Sequence, residues 1–177
     1  TSMELGIKFE DIANILFCFK GVKRRQEFVA DYKDTLLIID DYGHHPSEIK
    51  ATLKAINKGC QHIRIITVFQ PHRYSRTKFL LEQFANAFED SDMVIINDIY
   101  AANEKPIPGI SAELVYEKVK EAKRKDVFYL SGRKETNAFL SENIQKGDIV
   151  ITMGAGDVWK IGKDLAKEKR NIKIKQV

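Results

Sequence analysis

A chain of 177 residues that is 44% hydrophobic and 31% charged can bury a real core and falls within the usual size of one domain. No apolar run approaches a membrane span, and Thr1-Ser2-Met3-Glu4-Leu5 has neither the basic region nor the apolar segment of a signal peptide, so a cytoplasmic protein is expected. The net charge of +4 is mild, and the lysines from Lys118 to Lys125 and from Lys160 to Lys175 lack the interleaved aromatics and clustered arginines of a nucleic-acid surface. They read as solvated helix faces and a basic tail. Cys18 and Cys60 lie far apart and read as reduced, structural cysteines rather than a disulfide or metal ligands.

Phe9, Ile12, Ile15, Leu16 and Phe19 recur at helical spacing before the stop signal Lys20-Gly21, which predicts an amphipathic helix that needs a partner surface. Lying ahead of the first strand, it is either the last element of an upstream domain or a packing helix of this one. Gln26 to Tyr32 and Thr35 to Ile39 read as two antiparallel strands joined by a tight turn at Lys33-Asp34. The second strand, with its run of branched residues, suits burial on both faces and runs into Asp40-Asp41-Tyr42-Gly43-His44-His45-Pro46. Pro46 fits a first helical position, where its missing N–H costs nothing, and Glu48 sits near the positive end of the helix dipole. That helix aligns Ile49, Leu53 and Ile56 and stops at Lys58-Gly59, where glycine is available for a left-handed cap.

Strand and helix then alternate. Ile63 to Phe69 is a strand, Thr77 to Phe88 a helix, Met93 to Asn97 a strand, and Ser111 caps a helix carrying Leu114, Val115 and Val119. Val127 to Leu130 is a strand, Glu135 to Ile144 a helix, Asp148 to Met153 the closing strand and Val158 to Lys169 the last helix. Alternation of this kind requires crossover connections. The expected fold is therefore α/β: a three-layer, Rossmann-like, mostly parallel sheet of about six strands, one of them antiparallel, with helices on both faces.

Every loop at the carboxyl end of a predicted parallel strand is chemically loaded, and that is where open parallel sheets collect ligands. In the first loop Asp41 is an acceptor suited to sugar hydroxyls, while Tyr42, His44 and His45 can wall a substrate. Asp40, Asp41, His44 and His45 have metal-ligand chemistry, but neighbours on a tight loop point different ways, and no metal site is read from them. The second loop, Gln70-Pro71-His72-Arg73-Tyr74-Ser75-Arg76-Thr77, brings two arginines to a helix entrance, where guanidinium forks can converge on one carboxylate or phosphate. The alternative is a pair of surface salt bridges. The third loop, Asp98 to Ser111, is long for a compact domain, which marks function or mobility, and it holds Tyr100, Asn103 and Glu104.

The fourth loop, Gly154-Ala155-Gly156-Asp157, lets backbone N–H groups approach a ligand beside a helix N-terminus. It is not a dinucleotide fingerprint, because Trp159 takes the third glycine position and no strand follows. Gly156 to Lys163 is not a phosphate loop either: the spacing to Gly162-Lys163 is one residue too long, and Asp164 stands where serine or threonine is needed.

Gly21-Val22-Lys23-Arg24-Arg25, Asp40-Asp41-Tyr42-Gly43-His44-His45-Pro46, Phe69-Gln70-Pro71-His72-Arg73-Tyr74-Ser75-Arg76-Thr77, Asp98-Ile99-Tyr100-Ala101-Ala102 with Glu104-Lys105-Pro106-Ile107, and Gly154-Ala155-Gly156-Asp157 occur in this order. Together they resemble the Mur ligases over nearly the whole chain, most of all those that join L-alanine to UDP-N-acetylmuramate. The resemblance implies that residues 1–22 are the last helix of a central ATP-binding domain and a hinge, and that 23–177 are the C-terminal domain. It implies an ATP-dependent amide ligation in peptidoglycan synthesis: the carboxylate becomes an acyl phosphate, and the incoming amine displaces phosphate. A missing central domain would supply the phosphate loop and the magnesium ligands, and a missing N-terminal domain would hold the UDP-sugar, so the fragment alone is expected to be inactive. By the same resemblance Arg25 reaches ATP phosphate and Asp41 the ribose, while Tyr42, His44, His72, Arg73 and Arg76 line the amino-acid site. His45, Gly154, Ala155 and Gly156 are further loop contacts. Gln26 stands where the family commonly has an aromatic residue and Asn103 where it commonly has glycine. Two alternatives remain: the related murein-peptide ligase, which attaches a tripeptide, and a non-catalytic binding module that kept the fold.

Overall fold

The computed structural model describes residues 3–18, 21–33, 35–60, 64–123 and 126–168. Its elements follow in order as α1 (Phe9–Cys18), β1 (Glu27–Asp31), β2 (Leu36–Asp41), α2 (Pro46–Gly59), β3 (Arg64–Phe69), α3 (Tyr74–Phe84), β4 (Met93–Ile96), α4 (Ala112–Lys123), β5 (Val127–Tyr129), α5 (Arg133–Asn143), β6 (Asp148–Met153) and α6 (Trp159–Glu168). The strands form one sheet in the order β1-β2-β6-β3-β4-β5. β1 pairs antiparallel with β2, and all other pairings are parallel. This is the α/β architecture expected from the alternation, with β6 inserted between the two strands that α2 connects.

Alternation along the strands divides the core in two. Ile149, Ile151 and Met153 of β6 face the cluster that holds Ile49, Leu53, Phe84, Val115 and Val119, from α2, α3 and α4. Val150 joins Ile38, Ile66, Val68 and Ile95 against Leu140, Ile161 and Leu165 of α5 and α6. A strand covered on both faces has no polar side, and β6 is buried at all six of its positions, Asp148 and Thr152 included. Gly162, in α6, permits close approach of helix and sheet: a Cβ there would lie 3.3 Å from Ile38 Cγ2. The Gly162-Lys163 pair therefore sits inside a packed helix rather than in a loop.

Register decides where the site lies. Asp41 pairs with Met153, Met153 with Phe69, and Phe69 with Ile96, so four parallel strands end level with one another. The loops that follow them rise from one edge.

Several boundaries differ from those the sequence predicts. α3 starts at Tyr74, not Thr77, which places Arg76 in its first turn. α5 starts at Arg133 rather than Glu135. Gly59 is the last residue of α2 and takes no left-handed conformation; the extended Cys60 caps the helix and donates its N–H to Ile56 O. The predicted residues Phe19, Lys20, Asp34, Ile63 and the tail from 169 lie outside the described residues, as does the side chain of Cys18. α1 leaves Phe9, Ile15, Leu16 and Phe17 exposed, Phe17 at 92%, so its apolar stripe is not covered by the sheet domain.

Candidate active site

The segment ahead of β1 is sewn to the level strand ends. Arg24 and Gln26 both have left-handed backbone, at φ 60° and 48°, a conformation that a side chain adopts at a cost and that tertiary contacts must hold. Those contacts are present. Arg24 O accepts from Tyr42 N at 2.6 Å, and Gln26 N donates to Asp41 Oδ2 at 2.9 Å. The Arg24 guanidinium donates to Asp40 Oδ2 at 3.0 Å, Gly154 O at 2.5 Å and Gly156 O at 3.1 Å. It clamps the glycine loop onto β2.

Arg25 carries none of these duties. It is exposed and lines a hollow of about 320 Å³ with Gln26, Asp41, Glu48, Ala51 and Thr52. Of the adjacent arginines, the structure thus uses the first as a clamp and leaves the second available. Asp41 is buried at 4% exposure, with Oδ1 accepting from Gly43 N and Oδ2 from Gln26 N. An ionised carboxylate has about four acceptor positions, so these two bonds leave capacity for a ligand hydroxyl.

A row of aromatic and imidazole rings crosses the edge. The Arg24 and Arg25 guanidinium carbons lie 5.0 and 5.4 Å from the Tyr42 ring centre. Tyr42 meets His44 edge-on at 5.5 Å, His44 lies 5.7 Å from His72, and His72 stacks on Tyr100 at 5.7 Å and 8°. Tyr100 reaches this position because the third loop continues beside the second: Tyr100 N donates to Pro71 O and Arg73 N to Tyr100 O. Its ring rests on Gly156, where an added Cβ would come within 2.6 Å of it.

Arg73 has φ 70° and precedes α3, while Arg76, one turn on, donates to His72 Nδ1 at 3.0 Å. Burial, with Arg76, His44 and Arg73 close by, lowers the His72 pKa to about 4. The ring is therefore neutral at physiological pH, with Nδ1 as acceptor and its proton on Nε2. His44 has the opposite tautomer, because its Nδ1 lies 3.0 Å from Tyr42 O, which can only accept.

Glu104 pins the third loop to α3 by accepting from Ser75 N at 3.0 Å and Ser75 Oγ at 2.6 Å. Asn103 takes φ 66°, the left-handed region where Asn is the commonest substitute for glycine. Gln70 joins β3 to the fourth loop: its Oε1 accepts from Asp157 N and Val158 N, and its Nε2 donates to Asp157 Oδ1.

All the predicted site residues rise from this edge, but some have local work. His45 caps α2 by accepting from Ser47 N, with Glu48 closing the capping box. Gly154 has φ 148°, and its N–H donates to Asp41 O. Ala155 and Gly156 adjoin it in the clamped loop. Arg24, Gln70, Tyr100 and Glu104 complete the constellation; the sequence assigns them no individual role, and their signals are the motifs quoted above and, for Gln70, Tyr100 and Glu104, their places in the loaded loops. Among the described residues no group of three or more His, Cys, Asp or Glu side chains could hold a metal ion.

The family model described as Mur ligase, glutamate ligase domain, matches residues 24–156. The chain belongs to the Mur ligase family. A UDP-N-acetylmuramate--L-alanine ligase of Desulfosudis oleivorans is 47% identical over 163 residues, which are 92% of this chain and 35% of that protein. One of the same name from Pelotomaculum thermopropionicum is 47% identical over 171 residues, 96% of this chain and 37% of that protein. The solved UDP-N-acetylmuramate-alanine ligase of Thermotoga maritima shares the fold of this Mur ligase domain at a TM-score of 0.79 and 22% identity, covering 96% of this chain and 35% of that one. The chain thus spans about a third of the length of the curated relatives it matches.

Proposed function

We propose that this Mur ligase domain is the C-terminal lid of an ATP-dependent ligase that joins L-alanine to UDP-N-acetylmuramate in peptidoglycan synthesis. The observation that carries this reading is the identity of 47% to ligases of that name over more than nine-tenths of the chain. The remaining two thirds of such a protein would hold the UDP-sugar, the phosphate loop and the magnesium ligands. Residues 1–22 are then the hinge and the last helix of the preceding domain, a reading supported by the uncovered apolar stripe of α1. No helix among the described residues is long and apolar enough to cross a membrane, in keeping with a cytoplasmic enzyme.

The residues present suit ATP on one side of the edge. The hollow beside Arg25 has one exposed guanidinium for phosphate and, in Asp41, a buried acceptor with spare lone pairs for ribose hydroxyls. ATP, when bound, supplies the phosphoryl group that activates the muramate carboxylate. On the other side Arg73 and Arg76 offer forks to the carboxylate of the incoming amino acid, and Tyr42, His44 and His72 wall its side chain. Rings in contact at 5.5 to 5.7 Å make that wall continuous, and in a pocket that fits a methyl group each excess methylene costs a factor of about 10 to 200. The identity to L-alanine ligases favours alanine over the tripeptide of the murein-peptide ligase.

The test is phosphate release by the full-length ligase with ATP, UDP-N-acetylmuramate and a panel of amines. L-alanine should exceed glycine, L-valine and the tripeptide in kcat/KM. Preference for the tripeptide, or no release that depends on the muramate nucleotide, would refute the reading. The 177-residue domain alone should turn over no ATP.

A further inference from the structure

Within the ligase reading above, we infer that His44 is the proton acceptor for the incoming amine, acting through Nε2. An amino acid arrives as an ammonium ion and cannot attack until one proton is removed, so the amino-acid side of the edge needs a base. Four groups there can be examined in turn. Arg73 and Arg76 are permanent cations. His72 accepts from Arg76 at Nδ1, so its Nε2 carries the proton and offers nothing to receive another. His45 is consumed as the helix cap.

His44 differs from all of them. Its Nδ1–H is held by Tyr42 O at 3.0 Å, with Glu48 Oε2 at 3.9 Å behind it. This fixes the tautomer in which Nε2 bears the lone pair, and no residue among those described donates to that nitrogen. The side chain keeps 17% of its surface exposed, enough for a ligand to reach. Its neighbours are Glu48 in the first turn of α2, Tyr42 on its own loop and His72 on the second loop, with Arg73 and Arg76 beside His72 and Arg25 beyond Tyr42. Glu48 is the one anion among them and stabilises the imidazolium as it forms. Neutral His72 adds no repulsion, whereas the three arginines limit the lifetime of the charge.

In the step, Nε2 takes one proton from the ammonium and frees the nitrogen lone pair, which forms the C–N bond at the acyl phosphate carbon. The tetrahedral centre then expels phosphate with the C–O bonding pair, and the second excess nitrogen proton leaves on the phosphate. The imidazolium returns its proton to solvent.

His44→Asn in the full-length ligase tests this directly, because the Asn amide can keep the donor to Tyr42 O while removing Nε2. His44→Gln serves as a second variant, judged on the same terms. At pH 8 the rate with L-alanine should fall about 10²- to 10³-fold, and it should recover with rising pH as the free amine accumulates. Hydroxylamine, already unprotonated at neutral pH, should react in the variant at close to the wild-type rate. Equal losses with alanine and hydroxylamine would mean that His44 only positions the substrate, and an unchanged rate and pH profile would mean that it is idle; either overturns the proposal. Failure of the wild-type protein to form a hydroxylamine-trappable acyl phosphate from ATP and the muramate nucleotide would instead overturn the ligase reading, and this assignment with it.

Discussion

Replacing Arg24 with Met removes the clamp while keeping most of the side-chain length. Its strongest contact is with Asp40, which is 2% exposed and whose other oxygen accepts from Thr152 Oγ1 at 2.6 Å. Breaking a buried ion pair by deleting one partner costs about 3 to 5 kcal/mol, because a charge is stranded. The Arg24 side chain is 23% exposed and solvent screens part of the interaction, so the lower end, about 3 kcal/mol, applies. For a chain of this size that is a Tm lower by about 6 to 12 °C.

The pH dependence has a definite sign. Burial raises the Asp40 pKa, against the lowering effects of Thr152 and Arg24; without Arg24 it rises further. The folded state then holds a proton that the unfolded state has released, so stability falls as pH climbs from the ordinary carboxylate range towards neutrality. Urea denaturation of the 177-residue domain should show a larger penalty for Arg24→Met near pH 8 than near pH 4.5. Adding Asp40→Asn should restore about 1 to 2 kcal/mol at pH 8. A loss below about 1 kcal/mol, or strict additivity of the two substitutions, would refute the clamp.

Three further outcomes can be measured. On the proposed function, Arg76→Lys in the full-length protein keeps the charge and loses the planar fork, so the KM for alanine should rise about tenfold with that for ATP unchanged; the reverse pattern would assign this arginine to the phosphate side. Arg25→Ala should weaken ATP use and spare the fold, whereas Asp41→Ala should also lower domain stability by about 2 kcal/mol, because the buried Gly43 N–H and the part-buried Gln26 N–H lose their acceptor; equal Tm values for both variants would contradict that division. NMR titration of the domain should find His72 neutral until pH approaches 4, and stability should increase with pH from about 4 to 6.5, since only the unfolded state binds that proton; a midpoint near 6.5 would contradict it.

The order of elements was legible because hydrophobic period reports burial directly. A run such as Ile149 to Met153, apolar on both sides of the pleat, can only be a covered strand. The loaded loops were legible for a related reason: helix-to-strand turns need only solubility and turn chemistry, so acids, imidazoles and arginines concentrated at strand ends stood out. Boundaries were less so. Arg73, Tyr74 and Ser75 carry no apolar periodicity, and α3 starts there because Glu104, from a distant loop, accepts from Ser75 N.

By itself, then, the sequence determined the α/β class, the strand-helix order, the loops in which acids, imidazoles and arginines gather and the motifs that resemble the Mur ligases. Only the tertiary structure decided which neighbours each residue of those motifs meets. Arg24 and Arg25 are adjacent and chemically identical, yet one is consumed by Asp40, Gly154 and Gly156, while the other faces a hollow. His44 and His72 are both imidazoles near arginines, yet Tyr42 O and Arg76 impose opposite tautomers on them. The reason is physical: periodicity reports burial alone, whereas the partner of a polar side chain is set by how the chain folds around it, for Arg24 across more than a hundred residues to Gly154 and Gly156, and for His44 and His72 within the conformation of their own loops.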